Sequence, residues 1–382
     1  MKFNLSELVK IVNGYAFKSA DIISDQSAYV IKIKNIQSSK ILLEKDSMTA
    51  EMDGLNKYQI KFNDILISLT GSGMNQMSSA VGKVGRFRHT QKAYLNQRVA
   101  KISSLDETKL TNDYLYYFIN RPEIQKDLVS VATGSANQVN ISPKIIGELS
   151  IDLPDLAEQE RITNILTAFD SKIEILESIN DNLLDLSMTH FERWLETTSS
   201  TNNVSLDEIA TYKNGLAMQK FEPENDADSL PVLKIRELNQ GFTDSSSNRA
   251  RTDIDESVKV HDGDVIFSWS GTLLVDIWTG GPAGLNQHLF KVTSDAYPKW
   301  FYYMWTRYHL RQFQQIAAGK ATTMGHIKRG DLKAANVIIP TDSEFVQLET
   351  LLKPVVDAYI ENGVEIKSLQ TIRDQLLQKL LG

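Results

Sequence analysis

"LPDLAEQERITNIL" (Leu153–Leu166) joins two kinds of sequence. A short apolar run ends at Pro154, a residue that lacks the N–H a sheet ladder needs. An acidic segment follows, and from Ile162 its apolar residues recur at intervals of three and four, the period of one helix face. Near the other end of the chain "IPTDSEFVQLETLL" (Ile339–Leu352) makes the same transition. A chain that writes this joint twice predicts two globular domains, each followed by a long helix.

The sequence ahead of the joints repeats in step. "LSELVKIVNG" (Leu5–Gly14) returns as "LDEIATYKNG" (Leu206–Gly215), and "YVIKIKNI" (Tyr29–Ile36) as "PVLKIREL" (Pro231–Leu238). "FNDILISLTGS" (Phe62–Ser72) matches "DGDVIFSWSGT" (Asp262–Thr272), and "LNQRVAKI" (Leu95–Ile102) matches "LNQHLFKV" (Leu285–Val292). "DYLYYFI" (Asp113–Ile119) matches "KWFYYMW" (Lys299–Trp305), and "ATGSANQVNIS" (Ala132–Ser142) lies near "AAGKATTMGHIK" (Ala317–Lys328). The order is kept while the offset drifts from about 201 to about 186 residues, as loop insertions would cause. Two copies are too few for a solenoid, so a duplication with a pseudo-twofold chain is expected.

Ile31–Ile33, Ile65–Ile67 and Val99–Ile102 alternate as short strands. Tyr114–Ile119 and Trp300–Tyr308 read as aromatic helices, and Ser142-Pro143 as a helix start. The expected fold class is α/β (α+β), with two similar globular domains at residues 1–154 and 198–341. Helical spacers are expected at 155–197 and 342–382. The first spacer's apolar stripe is Ile162, Ile165, Phe169, Leu176, Ile179, Leu183 and Leu186. The second's is Leu348, Leu352, Val355, Tyr359, Ile366, Leu369, Leu376 and Leu380. Polar helices of this length are not stable alone, so the two stripes are expected to zip together as an antiparallel coiled coil. Lys172, Asn362 and Arg373 interrupt the stripes and are candidates to fix register; a plain solvated surface is the alternative.

The chain has 382 residues, 42% of them hydrophobic, and no cysteine, so disulfides and thiolate metal sites are excluded. The N-terminus does not read as a signal peptide and no apolar run would span a bilayer, so a soluble cytoplasmic protein is expected. The net charge of −7 argues at first against nucleic acid, but it is unevenly spread. Residues 1–153 hold 19 Lys+Arg and 15 Asp+Glu, net +4, whereas residues 154–200 hold 3 and 10, net −7. Residues 341–382 hold 4 and 7, net −3. Acidic helices beside a mildly basic domain imply different partners for each.

Catalytic patterns are missing: no phosphate-binding loop, no Asn-Pro-Pro-aromatic motif of an adenine methyltransferase, no zinc spacing among the six histidines and no nucleophile elbow. Binding patterns are present. "GKVGRFRHTQKAYLNQR" (Gly82–Arg98) carries Lys83, Arg86, Arg88, His89, Gln91, Lys92 and Arg98 without one acidic residue. Such side chains neutralise phosphates and bond base edges; an ordinary basic sheet edge is the alternative. "TGSANQVN" (Thr133–Asn140) offers Ser135, Asn137, Gln138 and Asn140 as a reading loop, or is a plain turn. "GKATTMGHIKR" (Gly319–Arg329) offers Lys320, Thr322, Thr323, His326, Lys328 and Arg329, and "SSSNRAR" (Ser245–Arg251) offers Arg249 and Arg251 on a flexible basic loop. "LNQR" and "LNQH" occur in both copies and are expected to serve the shared fold.

Two α/β domains, each with a long helix, and "LPDLAEQERI" at the junction resemble the specificity subunit of type I restriction–modification systems. The shared features are Leu153, Pro154, Leu156, Glu158, Gln159 and Ile162, after a "GSANQVNIS" loop. The second junction keeps Pro340, Glu344 and Leu348 but lacks the Glu-Gln pair, which bears only on fine partner contacts. The resemblance implies a non-catalytic, sequence-specific DNA-binding subunit. Each globular domain would be a target recognition domain for one half of a split double-stranded DNA site. The helices would set the spacer and dock methyltransferase subunits, two of them, with endonuclease subunits joining the complex. No cofactor is expected in this chain; S-adenosylmethionine and ATP with magnesium would be bound by the partner subunits. A helical scaffold with two protein-binding domains and no direct DNA role is the alternative.

Overall fold

The computed structural model describes residues 2–37, 40–50, 54–73, 81–135, 138–225, 228–244, 246–319 and 325–382. The chain divides into two units, residues 1–168 with 373–382 and residues 169–372. The division falls inside both long helices, so each unit holds a stretch of each.

In the first unit the strand Ile65–Ser68 is buried along its whole length. Successive side chains of a strand point to opposite faces. Ile65 and Ile67 therefore enter one core, with Leu115 and Ile162, while Leu66 enters another with Ile31, Ile60 and Leu95. The strand belongs to a four-stranded antiparallel sheet in the order Val84–Arg86, Ile65–Ser68, Val99–Ser104, Val9–Asn13. A second sheet runs Met48–Thr49, Ala28–Ile31, Ala93–Leu95, Gln59–Ile60, with its middle pair parallel.

The second unit repeats both sheets in the same order. The first runs Val275–Ile277, Val265–Ser268, Leu289–Thr293, Thr211–Asn214. The second runs Arg249–Arg251, Ser229–Leu233, Ala283–Leu285, Lys259–Val260, again with a parallel middle pair. Val265 and Phe267 face one core and Ile266 the other. Polar contacts repeat too. Lys101 pairs with Asp64 at 3.0 Å and donates to Gln59 O, while Lys291 pairs with Asp264 at 2.7 Å and donates to Lys259 O. The duplication read in the sequence is thus a duplication of topology and register.

The repeated "NG" and "LN" motifs form one packing device. A Cβ on Gly14 would lie 2.0 Å from the Asn96 oxygen, and one on Gly215 would lie 2.2 Å from that of Leu285. Only a residue without a side chain allows the parallel bridges Tyr15–Asn96 and Leu216–Asn286.

The central helix spans Leu156–Thr197 and the C-terminal helix Asp342–Leu381. Within the second unit the two run antiparallel. Lys172 pairs with Glu365 at 3.4 Å, Asn180 accepts from Asn362 at 2.8 Å, and Asn180 donates to Tyr359 O at 3.0 Å, so one number rises as the other falls. Leu348, Leu352 and Tyr359 pack in this unit's core, and Val355, Ile366 and Leu369 are partly buried. In the first unit Ile162 is buried and Leu376 and Leu380 pack against the same core, together with Leu166 and Leu377, which the sequence reading passed over.

Two seam assignments are corrected. Ile179 is 41% exposed and Leu186 47% exposed. The buried stripe passes instead through Ile173, Leu176, Asn180 and Ser187. Counting apolar residues alone missed it because the seam contains polar side chains that satisfy themselves: Ser187 donates to Leu183 O within its own helix turn. Ile165, Phe169 and Leu183 are half-buried. A smaller correction concerns Ile33, which lies in the 3-10 turn Ile33–Asn35 rather than in a strand; Trp300–Tyr308 is helical as expected, within the longer helix Lys299–Gly319.

The opening joint is held by Gln159, which is fully buried. Its amide donates to Lys109 O and Pro154 O and accepts from Thr111 N–H at 3.0 Å. Three backbone groups are satisfied by one side chain, which clamps the helix start to the cap of helix Asn112–Ile119. Gln159 of the Glu-Gln pair therefore bears on the fold of the first unit and not only on partner contacts. At the second joint Thr341 and Glu344 form a capping box instead.

Candidate nucleic-acid interface

Each unit carries an edge where three chain segments lie side by side. In the first, Leu69 N–H donates to Arg98 O at 2.9 Å and Ile141 N–H donates to Leu69 O at 3.0 Å. In the second, Trp269 N–H donates to His288 O at 3.4 Å and Ile327 N–H donates to Trp269 O at 3.0 Å. The hydrogen-bond relay is the same, residue for residue.

Around this shared frame the chemistry differs. In the first unit Thr70–Gly71 pairs with Gln138–Asn140, which forms a hairpin with Thr133–Ser135. The Thr70 hydroxyl donates to Asn140 Oδ1 at 2.7 Å, and Gln97, Arg98 and Gln138 are exposed. The segment expected as a loop or turn is therefore partly strand. In the second unit Ser270 bridges His326. Ser270 Oγ lies 2.9 Å from His288 Nδ1, and the Trp269 ring is 5.9 Å from that of His288 and 6.5 Å from that of His326. Both edges carry a hydroxyl, Thr70 or Ser270; the first adds the Arg98 guanidinium and the Gln138 amide, the second the Trp269 indole and the His288 and His326 imidazoles.

The expected binding residues divide sharply. Gln138, His326 and the exposed Lys328 lie on these edges. Arg86 does not serve as a phosphate contact: it is 8% exposed, paired with Asp113 at 3.0 Å and stacked 4.1 Å above the Tyr116 ring. The tyrosines of the aromatic helix give the guanidinium a π-face, and the strand Val84–Arg86 points it inward. His89 is half-buried, with a ring nitrogen on Ile41 O and its edge against Phe87. Arg88 donates to Asn63 Oδ1 and lies over Phe62. Lys83 is half-buried, Lys92 lies 6.0 Å from the Tyr94 ring, and Gln91 is exposed on the loop after that strand.

In the second unit Arg329 donates to Tyr212 O at 3.0 Å and covers Phe290. Arg249 and Arg251 sit on an edge strand rather than a loop. Arg249 donates to Ser229, and Arg251 pairs with Asp253 at 3.0 Å. Asn137, Lys320, Thr322 and Thr323 lie outside the described residues. Sequence reasoning passed over Thr70, Trp269, Ser270 and His288, whose signal was the repeat itself: Thr70 matches Ser270, Leu69 matches Trp269 and Arg98 matches His288.

Among the described residues no group of three or more His, Asp or Glu could hold a metal ion, and no helix is long and apolar enough to cross a membrane. Similarity to known proteins bears on what the edges serve. A family profile described as the type I restriction modification DNA specificity domain matches residues 1–184 and again 199–367. The chain is 23% identical over 300 residues to the type I restriction enzyme MjaIX specificity subunit of Methanocaldococcus jannaschii, covering 71% of this chain and 68% of that protein. It is 33% identical over 129 residues to the type I restriction enzyme EcoBI specificity subunit of Escherichia coli, covering 33% of this chain and 25% of that protein. Among solved structures, the type I restriction–modification S subunit from M. genitalium shares the fold with a TM-score of 0.53 at 18% identity, over 100% of this chain and 96% of that one. With two copies of the specificity domain filling most of its length, the chain belongs to the type I restriction–modification DNA specificity family, as a non-catalytic specificity subunit.

Proposed function

We propose that this chain selects a bipartite double-stranded DNA target, each globular domain reading one half-site through its three-segment edge. The observation that carries the reading is the repeated backbone frame with different side chains: one scaffold, two chemistries, hence two base sequences. Phosphate contacts would position each domain, with Lys328 as one of them, and exposed edge side chains would specify bases. The paired helices act as ruler and dock. The 42-residue central helix corresponds to ~63 Å of length at ~1.5 Å per residue. A rigid spacer suits half-sites about one DNA turn apart, ~34 Å or ~10 base pairs. The acidic helices, net −7 over residues 154–200, repel phosphates and suit protein partners. Those partners are methyltransferase subunits, two per chain, and endonuclease subunits; S-adenosylmethionine, ATP and magnesium belong to them.

The test is to co-purify the chain with its methyltransferase and map methylated adenines genome-wide. Modification of one split motif is the expected result. Modification of no split motif, with both chains expressed and assembled, removes the reading. Replacing residues 201–340 by another domain should change one half-site only.

A further inference from the structure

The tetrads "LNQR" (Leu95–Arg98) and "LNQH" (Leu285–His288) end in a turn that is part of each edge. The first two residues are absorbed by the fold. Leu95 and Leu285 are fully buried, and Asn96 and Asn286 form the bridges to Tyr15 and Leu216 that Gly14 and Gly215 make possible. The last two residues are not needed for this. Gln97 and Gln287 are both exposed, and their neighbours Arg98 and His288 give their carbonyls to the edge relay while their side chains differ. The Gln287 amide lies 3.3 Å from His288 Nε2, the next residue of the same turn.

We infer that Gln97 and Gln287 are base-reading residues that recognise an adenine in each half-site, and that Arg98 and His288 help to make the half-sites differ. This rests on the proposal that each domain reads DNA. Three facts carry it: the same residue occupies the same turn in both copies, the turn is the third segment of each edge, and among the described residues neither glutamine side chain is tied to anything beyond its own turn. A primary amide presents one donor and one acceptor side by side. That pair matches the N6 donor and N7 acceptor of adenine in the major groove, and no other base offers the match. A shared glutamine thus specifies a base common to both half-sites. Arginine instead matches guanine, so the following position separates the two edges.

The test uses the assembled complex with its methyltransferase, first mapping the wild-type motif and then the variants Gln97→Ala, Gln287→Ala and Gln97→Glu. Each alanine variant should lose discrimination for adenine at one position of one half-site by about 5- to 150-fold, leaving the other half-site intact. Gln97→Glu removes the donor and keeps acceptors, so preference at that position should move from adenine to cytosine, whose N4 donates. A merely structural role would not produce that exchange. Unchanged motifs in all three variants, or equal loss of binding to every sequence, overturn the inference while leaving the proposed function standing. A wild-type complex that modifies no bipartite motif removes both.

Discussion

Asn180 and Asn362 test whether a hydrogen bond holds the helix pair in register. Asn180 is 8% exposed, accepts from Asn362 at 2.8 Å and donates to Tyr359 O at 3.0 Å. A neutral hydrogen bond contributes about 0.5–1.5 kcal/mol net, and a buried polar group left without its partner costs about 1–3 kcal/mol. Asn180→Ala removes both bonds and should destabilise by about 1–3 kcal/mol. Asn362→Ala removes the shared bond and strands the Asn180 oxygen in the seam, at a cost of about 1–2 kcal/mol. The double variant loses the shared bond only once, so it should fall short of the sum by about 1 kcal/mol.

The assay follows from where the tryptophans lie. All five, Trp194, Trp269, Trp278, Trp300 and Trp305, belong to the unit spanning residues 169–372, which also holds both asparagines. Tryptophan fluorescence therefore reports the unfolding of that unit alone. With a urea slope of about 2 kcal/mol/M, a coupling of about 1 kcal/mol appears as a midpoint difference of about 0.5 M. Single effects that add within about 0.3–0.5 kcal/mol would refute the register bond. Replacing both residues by leucine should raise the midpoint, because no orphan is left, while weakening the choice of one register over its neighbours.

Arg86→Ala should lower the stability of the first unit by about 2 kcal/mol, from the lost stacking and ion pair, as read by thermal unfolding. If it instead keeps its stability and loses DNA binding, the internal role assigned to Arg86 is wrong. Lys328→Ala should weaken DNA binding of the complex about equally for all sequences and reduce the salt slope by about 1, with methyltransferase association intact; an unchanged slope would show that it touches no phosphate. Burial holds the His309 imidazole below its ordinary pKa, against hydrogen bonds to Asn336 O and Gln312 that favour the charged form. The unfolded chain then takes up its proton first as pH falls through about 6.5, so this contribution to the second unit's stability is full above that value and declines below it. The tryptophan-detected urea midpoint should drop over that range in the wild type and drop less in His309→Gln; equal slopes would exclude His309 as the cause.

The sequence by itself determined the duplication, the two joints and the helix pair, because these rest on order, period and punctuation, which are local properties of a chain. It determined the family for the same reason. Sequence also favoured antiparallel pairing, and its polar interruptions at Lys172 and Asn362 mark real cross-helix contacts. Only the tertiary structure decided which polar residues face inward. Arg86 and His89 read as a basic surface because charge is visible in a sequence and burial is not: Asp113, Tyr116 and Ile41, which hold them, come from other elements. Asn180 and Ser187 failed an apolar filter and yet line the seam, since a buried polar group is tolerated wherever a partner meets it. The recognition edge was illegible for a related reason. Leu69, Arg98 and Ile141 are far apart in the chain, as are Trp269, His288 and Ile327, and only the sheet order brings each three together. Residue types and spacing belong to the chain; adjacency across strands belongs to the fold, and the candidate site is made of adjacency.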